Sequence, residues 1–128
     1  MARILLIDDE RMHREFVATA LGRKGHAVTA KDSAVPVIRD IGRTDFGTDF
    51  DVVITDIVMP DVEGIELIRA LKAAHPRCRI IAVSGAGPRD GSRSYLQMAQ
   101  HLGAQSTLAK PFTITDLYGA VERAIAVT

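Results

Sequence analysis

Residues 52–56, Val52-Val53-Ile54-Thr55-Asp56, form an apolar run that ends on an acidic residue. The same pattern occurs twice more, where Ile4-Leu5-Leu6-Ile7 runs into Asp8-Asp9 and where residues 105–109 run into Lys110-Pro111. Short runs of this kind are typical of strands in a parallel sheet that helices cover on both faces. Because the carboxyl ends of parallel strands meet at one edge of the sheet, we expect the residues that follow these strands to lie together.

The residues at this edge indicate a particular chemistry. Asp8, Asp9 and Asp56 bring three carboxylates, and Lys110 brings one ammonium group. Carboxylates held close together repel one another unless a cation that prefers oxygen ligands lies between them, and Mg²⁺ fits that requirement. A lysine beside them is suited to bind a phosphoryl group. The pattern therefore predicts a Mg²⁺-dependent phosphoryl-transfer site with Asp56 as the nucleophile.

The composition indicates one ordinary globular domain over residues 1–128. The chain is 47% apolar and 25% charged, and its 16 basic and 16 acidic residues cancel, so no overall field attracts nucleic acid or an anionic membrane. Cys78 is the only cysteine, which excludes an internal disulfide and fits a reducing compartment. No apolar run approaches the ~20 residues of a membrane span. We expect a cytoplasmic protein that binds neither nucleic acid nor membrane.

Strand and helix patterns alternate along the chain. Apolar residues at helical spacing follow each strand pattern, and a capping box between Thr113 and Asp116 predicts the start of the last helix. Five strand–helix units with right-handed crossovers favour an α/β fold with a doubly wound parallel sheet. Because the last helix pattern reaches almost to Thr128, we expect no output domain in this chain. The four histidines lack the spacing of metal ligands, and we expect them at the surface.

Five sequence features in this order resemble the receiver domains of two-component response regulators, including the single-domain chemotaxis type. They are Asp8-Asp9 after the first strand, Asp56 followed by Met59-Pro60, Gly64 in the third helix, Ser84-Gly85 after the fourth strand, and Lys110-Pro111-Phe112 after the fifth. The resemblance covers essentially the whole chain. It implies a flavodoxin-like (βα)5 fold whose five strands have the order 2-1-3-4-5.

The resemblance also implies a role for each site residue. Asp56 would accept a phosphoryl group from a histidine kinase or a histidine phosphotransfer protein, and the phosphorylated domain would act on an unknown downstream protein. Mg²⁺ would be bound directly by Asp9, Asp56 and the backbone carbonyl of Val58, with Asp8 acting through water. Ser84 would supply the switch hydroxyl, and Lys110 would neutralise the phosphate.

Some positions depart from the family pattern. Thr107 stands where family members commonly have an aromatic residue that swings inward on activation, and residues 88–92 resemble an insertion before the fourth helix. Val58 and Ala86 are apolar at the two positions that flank the approach of a hydrolytic water. Because neither side chain can hydrogen-bond a water, we expect slow autodephosphorylation. The resemblance implies a signalling phosphoacceptor that catalyses only its own phosphorylation and this slow dephosphorylation.

Two other functions are compatible with parts of the pattern. A phosphohydrolase of the haloacid dehalogenase type also uses aspartate, Mg²⁺ and lysine, but it requires a second acid two residues after the nucleophile, where this chain has Val58. A flavodoxin-like nucleotide- or flavin-binding module requires a loop that cradles phosphate after the first strand. Asp8-Asp9-Glu10 would repel phosphate there.

Overall fold

The computed structural model describes residues 1–41, 50–57, 64–84, 97, 100–101 and 103–126. Five strands are present: β1 (Arg3–Ile7), β2 (Ala27–Lys31), β3 (Val52–Asp56), β4 (Arg79–Ser84) and β5 (Ser106–Ala109). They form one parallel sheet in the order β2-β1-β3-β4-β5. The predicted α/β class, doubly wound parallel sheet and strand order are confirmed.

Four helices have described bounds: α1 (Arg11–Arg23), α2 (Val35–Asp40), α3 (Gly64–Ala74) and α4 (Ile114–Ala126). Helix α1 continues through Gly22, and Gly25, with a φ of +87°, follows its end. The sequence pattern also predicts a fourth helix at about residues 94–102. Most of these residues lie outside the described ones, although Gln97, Gln100 and His101 are helical. Asp61, which the sequence makes a candidate cap for the third helix, also lies outside them.

Local sequence determines where two of the helices begin. The Ser33 hydroxyl accepts a hydrogen bond from the Val35 N–H at 3.1 Å, at the start of α2. Before α4, the Asp116 N–H donates to the Thr113 hydroxyl at 3.0 Å, and the Thr113 N–H donates to the Asp116 carboxylate at 3.2 Å. The predicted capping box is therefore confirmed.

The core has two layers, one on each face of the sheet. On one face, α1 and α4 pack through Val17, Leu21, Leu117 and Val121. On the other face, α2 and α3 pack through a second set of buried residues that includes Val37, Ile65, Leu67, Ile68 and Leu71. The apolar residues at helical spacing that the sequence predicts after the third strand therefore form the buried face of α3. In α4, Ala124 is buried while Ile125 is 38% exposed.

Gly64 lets α3 start directly beneath the end of β3. Its N–H donates a hydrogen bond to the Ile57 carbonyl at 2.5 Å. A Cβ at this position would overlap the Asp56 carbonyl oxygen and the Ile57 Cα. Glycine is required by this close approach of two backbones, which fixes the position of Asp56 at the edge of the sheet.

Candidate functional site

The strand ends bring the predicted acidic residues together. Asp8 follows β1 directly, and Asp56 is the last residue of β3. Asp8 and Asp56 are buried, with exposures of 2% and 5%, while Asp9 is exposed. Carboxylate oxygens of Asp8, Asp9 and Asp56 all lie within 4.8 Å of one another. The predicted acidic cluster at the carboxyl edge is present.

Lys110 reaches this cluster from the end of β5. Its Nζ lies 3.2 Å from Asp56 Oδ2, 3.4 Å from Asp8 Oδ2 and 3.8 Å from Glu10 Oε2. The Lys110 N–H donates to the Ser84 carbonyl at 2.8 Å, which ties the end of β5 to the end of β4. One ammonium group is therefore shared by the carboxylates of Asp8, Glu10 and Asp56, so it neutralises only part of the negative charge of the site.

Of the remaining residues predicted for the site, Ser84 lies within the described part of the chain, whereas Val58 and Ala86 do not. Ser84 ends β4, one residue after Val83, which pairs with Asp56 across the sheet. Its hydroxyl is buried and has no hydrogen-bond partner among the described residues. Val58, whose backbone carbonyl was predicted to bind the metal, lies outside the described residues, as does Ala86.

Asp8 and Asp56 have very different environments. Burial by itself raises the pKa of Asp8, but hydrogen bonds with His13, Asp56 and the Glu10 N–H, together with the Lys110 charge, hold that pKa well below its usual value. Burial, reinforced by the hydrogen bond and charge of Asp8, raises the pKa of Asp56 even though Lys110 lowers it. Of the pair, Asp8 is the carboxylate that the protein stabilises in its ionised form.

Burial alone would lower the pKa of Lys110. The charges of Asp56 and Asp8, a hydrogen bond with Asp56 and the charge of Glu10 raise that pKa above its usual value instead. Lys110 therefore remains a cation in the site. Its ammonium group can offer positive charge and N–H donors to an anion that enters beside Asp56.

The residues that are present fit a divalent cation. Asp56 Oδ1 is buried and has no hydrogen-bond partner among the described residues. A buried carboxylate oxygen without a donor is costly, and a hard cation that prefers oxygen ligands would relieve that cost. The exposed Asp9 carboxylate supplies a second oxygen donor beside it.

The four histidines predicted at the surface differ in exposure, and His13, His26 and His75 are only partly exposed and have hydrogen-bond contacts. His13 is half-buried and its Nδ1 lies 2.5 Å from Asp8 Oδ2. The Ala2 N–H donates to His26 Nδ1 at 3.0 Å, and His75 Nε2 lies 2.7 Å from the Ile41 carbonyl oxygen. His101 is exposed as expected. His13 thus belongs to the site, and sequence spacing alone did not show it.

Residues 4–122 match the model of the response regulator receiver domain family. This chain belongs to the receiver domain family of two-component response regulators. It is 36% identical to the DNA-binding transcriptional regulator NtrC of Azospirillum brasilense over 97% of this chain and 24% of that protein. It is 29% identical to the response regulator receiver protein CpdR of Brucella abortus over 96% of each chain.

A solved structure is similar over nearly the whole receiver fold. The response regulator receiver domain protein of Clostridium thermocellum has a TM-score of 0.86 and 32% identity, covering 98% of this chain and 94% of that one. The chain spans about a quarter of the length of the NtrC relative. Response regulator receiver domains are signalling modules of two-component systems. No helix among the described residues has the length and apolar character needed to cross a membrane.

Proposed function

We propose that Asp56 is the phosphoacceptor and that it takes its phosphoryl group from a histidine kinase or a histidine phosphotransfer protein. The observation that carries this proposal is the pairing of a buried Asp56 with Lys110 at 3.2 Å, beside the carboxylates of Asp8 and Asp9. The alternatives, a dehalogenase-type phosphohydrolase and a flavin or nucleotide module, have no support from the family to which the chain belongs.

The transfer is a displacement at phosphorus. A carboxylate oxygen of Asp56 forms a bond to phosphorus, and the phosphorus–nitrogen bond of the donor phosphohistidine breaks. The bonding electron pair stays on the imidazole nitrogen. Such transfers depend mainly on positioning and on neutralising charge. Lys110 Nζ, already within 3.4 Å of two carboxylates, would shift its hydrogen bonds to the phosphoryl oxygens.

The proposed metal is Mg²⁺, bound by Asp9, Asp56 and the Val58 backbone carbonyl, with Asp8 acting through water. When bound, the metal supplies positive charge to the phosphoryl oxygens. The indirect role of Asp8 follows from its partners. Asp8 Oδ1 accepts from the Glu10 N–H at 2.9 Å, and Oδ2 contacts both His13 and Lys110, so its lone pairs are largely occupied.

Ser84 is the proposed switch residue. Its buried hydroxyl lacks a partner among the described residues, which suits a group that gains one when a phosphoryl group is present. We propose that this new hydrogen bond shifts the domain between two conformations and changes its binding to a downstream protein. Slow autodephosphorylation, with Val58 and Ala86 offering no hydrogen bond to water, belongs to the same proposal.

The proposed setting is a single receiver domain over residues 1–128 acting in the cytoplasm. The single cysteine supports a reducing compartment. Burial, partly opposed by Lys72 and Arg79, raises the pKa of the Cys78 thiol to about 11. That thiol is therefore a poor nucleophile and does not compete with Asp56 for the phosphoryl group.

Phosphorylation by acetyl phosphate tests the assignment of Asp56. Intact-mass measurement in Mg²⁺ should show one added phosphoryl group on the parent and on Asp51→Asn, and none on Asp56→Asn. Asp51 is a matched control because it precedes the same strand at the opposite edge of the sheet. EDTA should abolish the gain in mass. A phosphoryl group that survives in Asp56→Asn, or that forms equally in EDTA, would contradict the proposal.

A further inference from the structure

His13 is held between the acidic site and two aromatic rings. It lies in the first turns of α1, and its side chain is 18% exposed. Its ring meets Phe112 edge-on at a centroid distance of 5.2 Å, and Phe16 at 6.2 Å. Phe112 belongs to the segment that follows Lys110. The imidazole therefore packs edge-on against Phe112 while its Nδ1 faces Asp8.

Besides its interaction with Asp56, the Asp8 carboxylate contacts three groups that can donate a hydrogen bond. The Glu10 N–H donates to Oδ1 at 2.9 Å, the Lys110 ammonium approaches Oδ2 at 3.4 Å, and His13 Nδ1 lies 2.5 Å from the same Oδ2. A carboxylate surrounded by donors has no proton to give, so His13 Nδ1 carries the proton and donates it. Both oxygens of Asp8 are thereby held in one orientation.

The backbone of Asp8 is held separately. Arg14 Nη1 donates to the Asp8 carbonyl oxygen at 2.8 Å, and the Asp8 N–H donates to the Lys31 carbonyl at 3.0 Å. Loss of the His13 contact would therefore leave the main chain of Asp8 in place and free only its carboxylate. His13 acts on the orientation of one functional group.

We propose that His13 is a positioning residue that holds the Asp8 carboxylate in the orientation required for magnesium binding. This inference rests on the proposed function, because Asp8 is one of the groups assigned to the metal. Hydrogen-bond partners of metal-binding carboxylates restrict their orientation, and losing such a partner weakens metal affinity by about 10- to 100-fold.

Three substitutions of His13 separate the hydrogen bond from the packing. The amide nitrogen of asparagine lies close to where Nδ1 of histidine lies, whereas the amide nitrogen of glutamine lies nearer the position of Nε2. Leucine has a similar bulk and no donor. Titration calorimetry with MgCl2 should give His13→Asn a dissociation constant within about threefold of the parent's. His13→Gln and His13→Leu should bind about tenfold more weakly.

Phosphorylation by acetyl phosphate provides a second readout. His13→Gln and His13→Leu should need about tenfold more Mg²⁺ for the half-maximal rate, while the rate at saturating Mg²⁺ stays within about threefold of the parent's. Phe16→Leu, which removes one ring neighbour and keeps the Asp8 contact, should bind Mg²⁺ as the parent does. Melting curves in EDTA establish that each variant is folded, and if His13→Leu does not fold, the Asn and Gln pair decides.

The outcomes distinguish this inference from the proposed function. A parent chain that binds no Mg²⁺ would overturn the proposed metal site itself. If the parent binds Mg²⁺ but the Asn and Gln variants have equal affinity, or if Phe16→Leu weakens binding as much as His13→Leu, His13 contributes packing only. In that case the positioning role is wrong and the assignment of Asp56 stands.

Discussion

At the amino edge of the sheet, where the strands begin, side chains accept hydrogen bonds from two backbone N–H groups, whereas at the carboxyl edge two buried side-chain oxygens lack a partner among the described residues. The Arg3 N–H donates to Asp51 Oδ2 at 2.8 Å, and the Ile80 N–H donates to Gln105 Oε1 at 2.7 Å. Side chains thus satisfy one backbone N–H group near the start of each of two strands, β1 and β4. Partners of this kind stabilise the fold and involve no reactive group.

The carboxyl edge has the opposite character. Two of the three buried side-chain atoms that lack a partner among the described residues are Asp56 Oδ1 and Ser84 Oγ at this edge. The third is Ser106 Oγ at the start of β5. Unpaired buried groups cost free energy of folding, and they are retained where a ligand will use them. Two of these three atoms lie beside the proposed phosphorylation site, and Ser106 Oγ is the exception at the amino edge.

The largest expected effect comes from the packing beneath the carboxyl edge. Gly64→Ala should lower the free energy of unfolding by about 3 kcal/mol, because its Cβ would overlap the backbone of Asp56 and Ile57. Urea unfolding followed by circular dichroism measures this loss. The same variant should be phosphorylated more slowly, because the end of β3 must shift.

Gly22→Ala is the matched control for that substitution. Gly22 lies within α1, and nothing lies within 4 Å of a Cβ placed there. Replacing a helical glycine with alanine should raise the free energy of unfolding by about 0.5 kcal/mol. If both alanine variants changed stability by similar amounts, close packing beneath Asp56 would not be the reason for glycine at position 64.

The second largest effect is expected for Asp56→Asn, which should stabilise the metal-free protein rather than destabilise it. In EDTA, Asp56→Asn should raise the free energy of unfolding by about 2 kcal/mol at pH 8, because it removes a buried carboxylate that lies beside Asp8. Denaturation in urea measures the difference between the variant and the parent. Mg²⁺ should stabilise the parent and have little effect on the variant, since the metal binds the folded state through this carboxylate.

The pH dependence identifies the group responsible. Burial together with Asp8 raises the pKa of Asp56 from 3.8 to about 8, so its contribution to stability is present below pH 3.8 and is lost as pH rises toward 8. The pKa of Asp8 is lowered, so its contribution is present above pH 3.8 and constant in this window. The advantage of Asp56→Asn should therefore grow between about pH 5 and pH 8. An advantage independent of pH would show that the charge of Asp56 is not its cause.

The smallest effect belongs to the amino edge. Gln105→Ala should lower the free energy of unfolding by about 1 kcal/mol, because the Ile80 N–H at the start of β4 loses its acceptor. Gln105→Glu keeps an oxygen in the same place and should lose less. Phosphorylation by acetyl phosphate should be unchanged in both variants. A large loss of phosphorylation in Gln105→Ala would show that the two edges are not independent.

The strands and the acidic site could be predicted because they depend on simple patterns. Apolar runs define β1 and β3, and parallel strands bring their carboxyl ends together in any sheet of this topology. Asp8, Asp9, Asp56 and Lys110 lie directly after or at the end of a strand, so their convergence needed no knowledge of side-chain conformations. Helix bounds are less exact, because a glycine such as Gly22 predicts the end of a helix, whereas α1 continues through it to Arg23.

His13 was missed because its role depends on how α1 crosses the end of β1. Its position did carry a signal. His13 lies one helical turn before Val17 and two before Ala20 and Leu21, which are buried, so it belongs to the inward-facing stripe of the helix. A polar residue on that stripe needs a hydrogen-bond partner in the interior, and Asp8, five residues earlier, is such a partner. Testing histidines only for metal-ligand spacing overlooked this.

The position of β5 has a consequence for how securely the site keeps its positive charge. This strand has four residues, Ser106–Ala109, and it lies at the edge of the sheet with β4 as its one neighbouring strand. Lys110 follows it immediately, 102 residues after Asp8. Edge elements with few partners open locally at lower free energy than the centre of a fold. Local opening of β5 would move the Lys110 ammonium group away from Asp8 and Asp56 and leave their two carboxyl groups close together. The neutralisation of charge at the site therefore depends on the stability of this edge strand.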